Sequence, residues 1–130
     1  MVCGMPIETR SISIAASPDT VFRYVADARN LPDWAPAFAG AVRPDGDAWI
    51  VTRDGADFPI VVRASAEHGT VDVVSATDER RGAFTRVLPD GDGAAYQLTL
   101  LFPEGTDEAA VAAQMATVDA ELAAVKAGCE

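Results

Sequence analysis

The chain has 130 residues, of which 49% are hydrophobic and 23% charged, so its composition argues against disorder. This length supports one hydrophobic core, and we expect a single domain over residues 1–130 with its core at about 7–126. Ten Lys and Arg residues against 20 Asp and Glu residues give a net charge of −10, which repels phosphate backbones and argues against a nucleic acid partner.

The first part of the chain predicts one strand followed by two short helices. Residues 7–15 alternate Ile with Ser, which indicates a strand. A helix is predicted from Pro18 to about Asp27, because Ser17 can cap it and Pro suits the first helical position. A second helix begins near Asn30, and Pro36 limits it to one or two turns.

From Phe38 onward, apolar residues recur at every second position between turns rich in Gly, Asp and Pro. This pattern predicts consecutive antiparallel strands joined by hairpins, each with one dry and one wet face. Six strands are predicted in this region. The first ends near residue 43, and the other five cover residues 49–53, 58–66, 71–76, 81–88 and 95–102.

The last long segment predicts an amphipathic helix over residues 106–126, with Thr106 as its cap. Its apolar residues recur at steps of three and four and form a single stripe. The stripe consists of Val111, Met115, Val118, Leu122 and Val125. We expect it to pack on the concave face of the sheet and to leave an apolar pocket there, which makes the fold α+β.

Three segments carry a resemblance to a known superfamily: 16–27 (ASPDTVFRYVAD), 30–34 (NLPDW) and 86–93 (RVLPDGDG). With the C-terminal helix, they resemble the START-like superfamily of polyketide cyclases/dehydrases and lipid-transport proteins (SRPBCC). The resemblance covers about residues 7–126. It implies the helix-grip fold of the Bet v 1-like proteins, in which a curved antiparallel sheet wraps around a long C-terminal helix. Such motifs specify fold better than function, because the superfamily includes both ligand carriers and cyclases.

In a helix-grip fold, the ligand would lie between the inward face of the sheet and the long helix. The predicted register then gives a set of candidate lining residues, of which Trp34 also offers an indole N–H donor. The candidates are Trp34, Phe38, Phe58, Ile60, Val62, Phe84, Leu98, Leu100, Phe102, Met115, Val118 and Leu122. For each of them, packing in an ordinary core is the alternative.

Three polar residues in the predicted inward register are candidates for catalysis: His68, Arg86 and Asp72. His68 would end a strand, where it either transfers a proton or simply bonds to backbone or water. Phe84 and Leu88 flank Arg86, so the Arg86 guanidinium is predicted to point inward and to face Asp72 across the hairpin. Arg86 then either braces the sheet through Asp72 or binds a polar group of the ligand.

Other chemistries lack support in the sequence. We find no G-x-S-x-G, H-E-x-x-H, CxxC or Walker-type motif, and one histidine cannot supply a standard metal site. We therefore predict no metal and no cofactor. Cys3 and Cys129 lie near opposite ends and are predicted to be free thiols, unless the two tails meet in a disulfide. The chain start lacks the features of a signal peptide, and no stretch approaches the roughly 18 apolar residues of a membrane span, so we predict a cytoplasmic location.

Three functions fit these observations. The first is a binding module for a small, mostly hydrophobic molecule of lipid, polyketide or aromatic type. The second is a cyclase- or aromatase-like enzyme in which His68, Arg86 or Tyr96 polarises a carbonyl or moves a proton. The third is a ligand-free interaction module or homodimer, in which alanines let the helix settle onto the sheet. Those alanines are Ala109, Ala110, Ala112, Ala113 and Ala116.

Overall fold

The structure is a computed structural model that describes residues 6–130. Its elements follow the predicted order of one strand, two short helices, six strands and one long helix. They are β1 (Ile7–Ile14), α1 (Pro18–Ala26), a 3-10 turn (Ala28–Asn30), α2 (Leu31–Trp34), β2 (Ala41–Asp45), β3 (Ala48–Arg53), β4 (Ala56–Ser65), β5 (Thr70–Ser75), β6 (Gly82–Asp90), β7 (Gly93–Leu101) and α3 (Glu108–Cys129).

The strands form one curved, fully antiparallel sheet in the order β1-β7-β6-β5-β4-β3-β2. Each strand from β2 to β7 pairs with its neighbour in sequence through a hairpin, and β1 joins the far side of β7. The first and last strands of the chain, β1 and β7, are therefore neighbours in the sheet, and the helices lie on one face of it. The predicted α+β helix-grip fold is therefore confirmed.

Side-chain caps fix the starts of the helices. The Ser17 hydroxyl accepts a hydrogen bond from the Thr20 amide at 3.1 Å and caps α1 as predicted. The predicted cap of α3 was wrong by one residue, because the Asp107 carboxylate accepts from the Ala109 amide at 2.9 Å. Thr106 instead donates its hydroxyl proton to the Pro103 carbonyl, which closes the turn before the helix. Helix α3 also runs three residues beyond the predicted end.

The apolar stripe of α3 packs on the concave face of the sheet. Met115, Val118, Leu122 and Val125 are buried in one cluster with residues of β1 and β7, and Val111 packs at its margin. The opposite face of α3 is exposed, and it carries all five alanines that were predicted to let the helix approach the sheet. That part of the third hypothesis was wrong, because the large stripe residues, and not the alanines, form the contact.

The predicted register of β6 was also wrong. Thr85 and Val87 lie inward, opposite Leu98 and Tyr96, whereas Phe84 and Arg86 lie on the outer face. The buried Thr85 hydroxyl donates to the Val71 carbonyl, so this polar side chain is satisfied inside the protein. Both faces of β6 carry apolar residues, and the strand therefore offers two plausible registers that differ by one residue.

No helix in the described part of the chain is long and apolar enough to cross a membrane. Cys129 is half-buried at the end of α3 and has no disulfide partner within residues 6–130. Cys3 lies outside the described residues, so the predicted thiol there is not tested.

Candidate functional site

A cavity of about 950 Å³ lies between the sheet and helix α3. Short helix α2 and the start of the following loop cover one side through Leu31, Trp34 and Phe38, and strands β3 to β7 form the floor. The segment after β7 adds Phe102 and Pro103. Most of the lining is apolar, so the cavity suits a molecule with a large hydrophobic surface.

Seven of the predicted lining residues do line this cavity: Trp34, Phe38, Phe58, Ile60, Leu98, Leu100 and Phe102. The rings of Phe38 and Phe58 meet edge to face with centroids 5.7 Å apart, so α2 and β4 close on each other at this side. Met115, Val118 and Leu122 are fully buried in the core beside the cavity, and Val62 packs against that core. These last four residues therefore pack in or against the core and do not line the cavity.

The three residues predicted to carry chemistry lie outside the cavity. His68 is exposed in the turn after β4, and its Nδ1 lies 2.9 Å from the Ser65 hydroxyl. Strand β4 ends at Ser65, so the alternation of inward and outward side chains along the strand does not extend to His68. Asp72 pairs with Arg63 across the β4–β5 hairpin at 3.4 Å. Arg86 is exposed and lies opposite Thr70, so the predicted Asp72–Arg86 pair does not form.

Trp34 lines the cavity, and its indole N–H is buried without a partner in the described part of the chain. Its side chain is only 3% exposed, and its indole Nε1 has no hydrogen-bond partner within residues 6–130. The ring meets Tyr96 edge to face at 6.3 Å between centroids. A buried N–H without a partner is rare in folded proteins and requires an explanation.

Glu121 is the titratable side chain that α3 contributes to the cavity. Burial in this apolar wall raises the pKa of Glu121 from 4.5 to about 7, because desolvation disfavours the carboxylate. No hydrogen bond or ion pair to another described residue offsets that burial. Burial also raises the pKa of the fully enclosed Tyr96, and the Glu121 charge adds to this effect.

This burial predicts how stability depends on pH. Folded Glu121 holds its proton more tightly than unfolded Glu121, so the contribution of Glu121 to the free energy of unfolding falls as pH rises from about 4.5 through 7. A fully buried group with such a shift would lose on the order of 3 kcal/mol, and water entering the cavity reduces this to about 1 kcal/mol.

The substitution Glu121→Gln removes this titration and is therefore expected to stabilise the protein at pH 8 by about 1 kcal/mol relative to its effect at pH 4.5. Urea unfolding at the two pH values measures the difference. Glu67→Gln, which changes an exposed side chain in the β4–β5 turn, is the control. An equal effect of Glu121→Gln at both pH values would show that the carboxyl group is not desolvated in the folded protein.

Charged side chains gather at the mouth of the cavity. Arg53, Arg80, Arg81, Asp78 and Glu104 all belong to its lining. Arg80 pairs with Asp78 at 3.5 Å, and the Arg53 guanidinium lies 5.0 Å from the centre of the Phe58 ring. The three arginines and Glu104 are exposed and Asp78 is half-buried, whereas Trp34 is buried and Glu121 is half-buried.

The sequence contains a signal for Glu121 in its spacing relative to the apolar stripe, although Glu121 is not a member of the stripe. Glu121 lies three residues after Val118 and four before Val125, and Gln114 is spaced in the same way around Val111 and Val118. Both positions therefore belong to the margin of the apolar stripe of α3. A polar residue at such a margin is a candidate for lining a pocket.

Comparison with known families decides the classification. The family described as "Polyketide cyclase / dehydrase and lipid transport" matches residues 5–130. The chain belongs to this family. The predicted START-like resemblance is therefore confirmed, and the cavity lies where that resemblance placed a ligand.

Solved structures of this superfamily share the fold at low sequence identity. The Zhui aromatase/cyclase from Streptomyces sp. R1128 aligns with a TM-score of 0.73 at 15% identity, over 96% of this chain and 93% of that one. A START superfamily protein from Mycobacterium smegmatis aligns at 0.71 and 16%, over 95% and 96%.

The Aha1 dimer from Colwellia psychrerythraea aligns with a TM-score of 0.71 at 18% identity, over 97% of each chain. No curated protein matches the sequence. At these identities the structural matches bear on the fold alone.

Proposed function

We propose that this family member binds a small, mostly hydrophobic molecule of lipid, polyketide or aromatic type in the cavity between the sheet and α3. The cavity itself carries this proposal. Its volume of about 950 Å³ lies at the upper end of the range of small-molecule sites. The family description includes lipid transport, which agrees with such a ligand.

A purely structural role does not require a hollow of this size. It leaves apolar side chains in contact with water that closer packing of α3 on the sheet would bury. A ligand-free interaction module would gain nothing from such a space. The cavity therefore favours the binding hypothesis over the ligand-free one, although a homodimer remains compatible with either because the Aha1 neighbour is described as a dimer. The cytoplasmic location also stays a prediction.

A dye titration tests the binding proposal. Of the two tryptophans, Trp34 lines the cavity and Trp49 does not, so Trp49→Phe leaves one reporter in the cavity wall. We expect 8-anilinonaphthalene-1-sulfonate to bind this variant saturably with one-to-one stoichiometry and to quench Trp34 emission. Quenching that rises without saturation would contradict a defined binding site.

A cyclase- or aromatase-like activity is the second candidate, and Glu121 is the observation that favours it. A carboxyl group with a pKa of about 7 suits proton transfer near neutral pH. His68 and Arg86 lie outside the cavity, so Glu121 replaces them as the candidate proton carrier. The test is the product distribution from a poly-β-ketone chain with wild type, with Glu121→Gln and without protein. Identical products in all three reactions would exclude this activity.

A further inference from the structure

Most basic side chains of this protein have an acidic partner. The chain has ten Lys and Arg residues against 20 Asp and Glu residues, and seven of the ten place a side-chain nitrogen within 4.0 Å of a carboxylate oxygen. Among the described residues, Arg53, Arg81 and Arg86 have no such ion pair. Two of these three, Arg53 and Arg81, line the cavity. The cavity mouth therefore holds two guanidinium groups that are available to a ligand.

Arg53 is held against a ring of the cavity wall. It ends β3 in the same inward register as the buried Val51, and its guanidinium carbon lies 5.0 Å from the centre of the Phe58 ring. Cation–π attraction favours this position. Because Phe58 lines the cavity, the positive charge of Arg53 lies at the cavity wall.

Arg81 is placed by the turn between β5 and β6. Its amide donates a hydrogen bond to the Asp78 carbonyl at 2.9 Å. The two acidic side chains of this turn already have partners, because Asp78 pairs with Arg80 at 3.5 Å and Glu79 pairs with Arg63 at 3.2 Å. Arg81 is therefore the charge that this turn offers to a ligand.

Arg53 and Arg81 lie at the same end of the sheet. Arg53 is opposite Ala56, where β4 begins. Ala76, the first residue after β5, donates its amide to the Pro59 carbonyl of β4 at 3.1 Å, so the turn that carries Arg81 starts beside the same end of β4. Strands β3 and β6 are three strand spacings apart, about 14 Å. An anion between them is within about one Debye length, roughly 8 Å, of both arginines.

We propose that the mouth of the cavity binds an oxyanion group, a carboxylate or a phosphate, at one end of an otherwise apolar ligand. The Arg53 and Arg81 guanidiniums supply the counter-charge, and the apolar body of the ligand fills the cavity. Guanidinium groups match the oxygen atoms of both oxyanions. This inference rests on the proposed binding function and specifies the polar group of the ligand.

The acidic residues of the lining favour one orientation of such a ligand. Glu121 lies thirteen residues after the start of α3 at Glu108, which is about 20 Å along the helix. It offers no positive charge to an oxyanion, so the arginine end is the favourable one. Glu104 lines the cavity with the arginines and opposes their charge.

Two dyes that differ only in one oxyanion test the proposal. 8-Anilinonaphthalene-1-sulfonate carries a sulfonate, and N-phenyl-1-naphthylamine is the same molecule without it. Fluorescence titration at pH 6, below the Glu121 pKa of about 7, keeps that carboxyl group mostly neutral. We expect the double variant Arg53→Gln/Arg81→Gln to bind the sulfonate about tenfold more weakly than wild type. Its affinity for the neutral dye should stay within about twofold, because the apolar wall is unchanged.

Arg86→Gln is the matched control, because Arg86 also lacks an ion pair among the described residues but lies on the outer face of β6. It should leave both affinities unchanged, whereas Glu104→Gln should strengthen binding of the sulfonate alone. Salt gives a test without substitutions. Wild-type affinity for the sulfonate should fall between about 0.02 M and about 0.5 M sodium chloride more steeply than affinity for the neutral dye.

Alkyl ligands of one length identify the oxyanion. Decanoate, decyl phosphate and 1-decanol are each used to displace N-phenyl-1-naphthylamine from the wild type and from Arg53→Gln/Arg81→Gln. We expect the double variant to lose affinity for one or both anions and to keep its affinity for the alcohol. The anion with the larger loss is the group that the mouth prefers.

The outcomes separate this inference from the binding function. Equal affinity of wild type and double variant for the sulfonate and both alkyl anions would overturn the oxyanion site and leave the hydrophobic cavity function standing. An equal loss for both dyes, or the same loss in Arg86→Gln, would also overturn it. A lack of saturable binding of either dye to the wild type would contradict the binding function itself.

Discussion

Replacing Ala83 with Phe is expected to weaken ligand binding by about tenfold to a hundredfold. Ala83 lies inward on β6, opposite Val73 and Leu100, and lines the cavity. A benzyl group at this position occupies space that the ligand requires. Relieving such overlap costs on the order of 1–3 kcal/mol, which corresponds to the expected loss in affinity. Titration with 8-anilinonaphthalene-1-sulfonate measures the effect.

Gln97→Phe is the matched control for this experiment. Gln97 lies on the neighbouring strand β7 but on the outer face, opposite Arg86. The added ring therefore stays away from the cavity, and we expect dye affinity within about twofold of the wild type, because no ligand space is lost. Equal affinity of wild type and Ala83→Phe would show that the dye binds elsewhere on the protein.

Replacing Leu122 with Ala is expected to lower the free energy of unfolding by about 2–5 kcal/mol. Leu122 is 2% exposed and belongs to the stripe that holds α3 on the sheet. Its truncation removes buried apolar surface next to an existing cavity. We expect the surrounding side chains not to fill the space that the substitution leaves. Urea unfolding followed by circular dichroism measures the loss.

Gln114→Ala is the control on the same helix. Gln114 is exposed, so its truncation should change the free energy of unfolding by no more than about 0.5 kcal/mol. If Leu122→Ala cost no more than Gln114→Ala, α3 would not be held by its apolar stripe, and the cavity would lack the helix that forms its cover.

The sequence predicted the fold well because its signals are local. Alternating residues define β4 and β7, Gly and Asp define the turns between strands, and the stripe of α3 has a clear helical period. Each of these patterns is repeated several times along its element. Small errors of boundary, such as the cap at Asp107 instead of Thr106, leave the topology unchanged.

The candidate site was harder to predict because it depends on which face of a strand is buried. In β6, Phe84 and Leu88 compete with Val87 for the inward register, and the structure places Thr85 inside, where its hydroxyl donates to a backbone carbonyl. A shift of one residue then moves Arg86 to the outer face. The cavity itself depends on the spacing between α3 and the sheet, which no local pattern encodes.

Native mass spectrometry of the protein purified from its own host tests the central claim most directly. We expect wild type to carry one small apolar molecule per chain, which denaturing extraction releases for identification, and we expect Ala83→Phe purified in the same way to lack it. The same adduct on both proteins, or a wild-type dimer without any small molecule, would contradict a ligand-binding cavity between the sheet and α3.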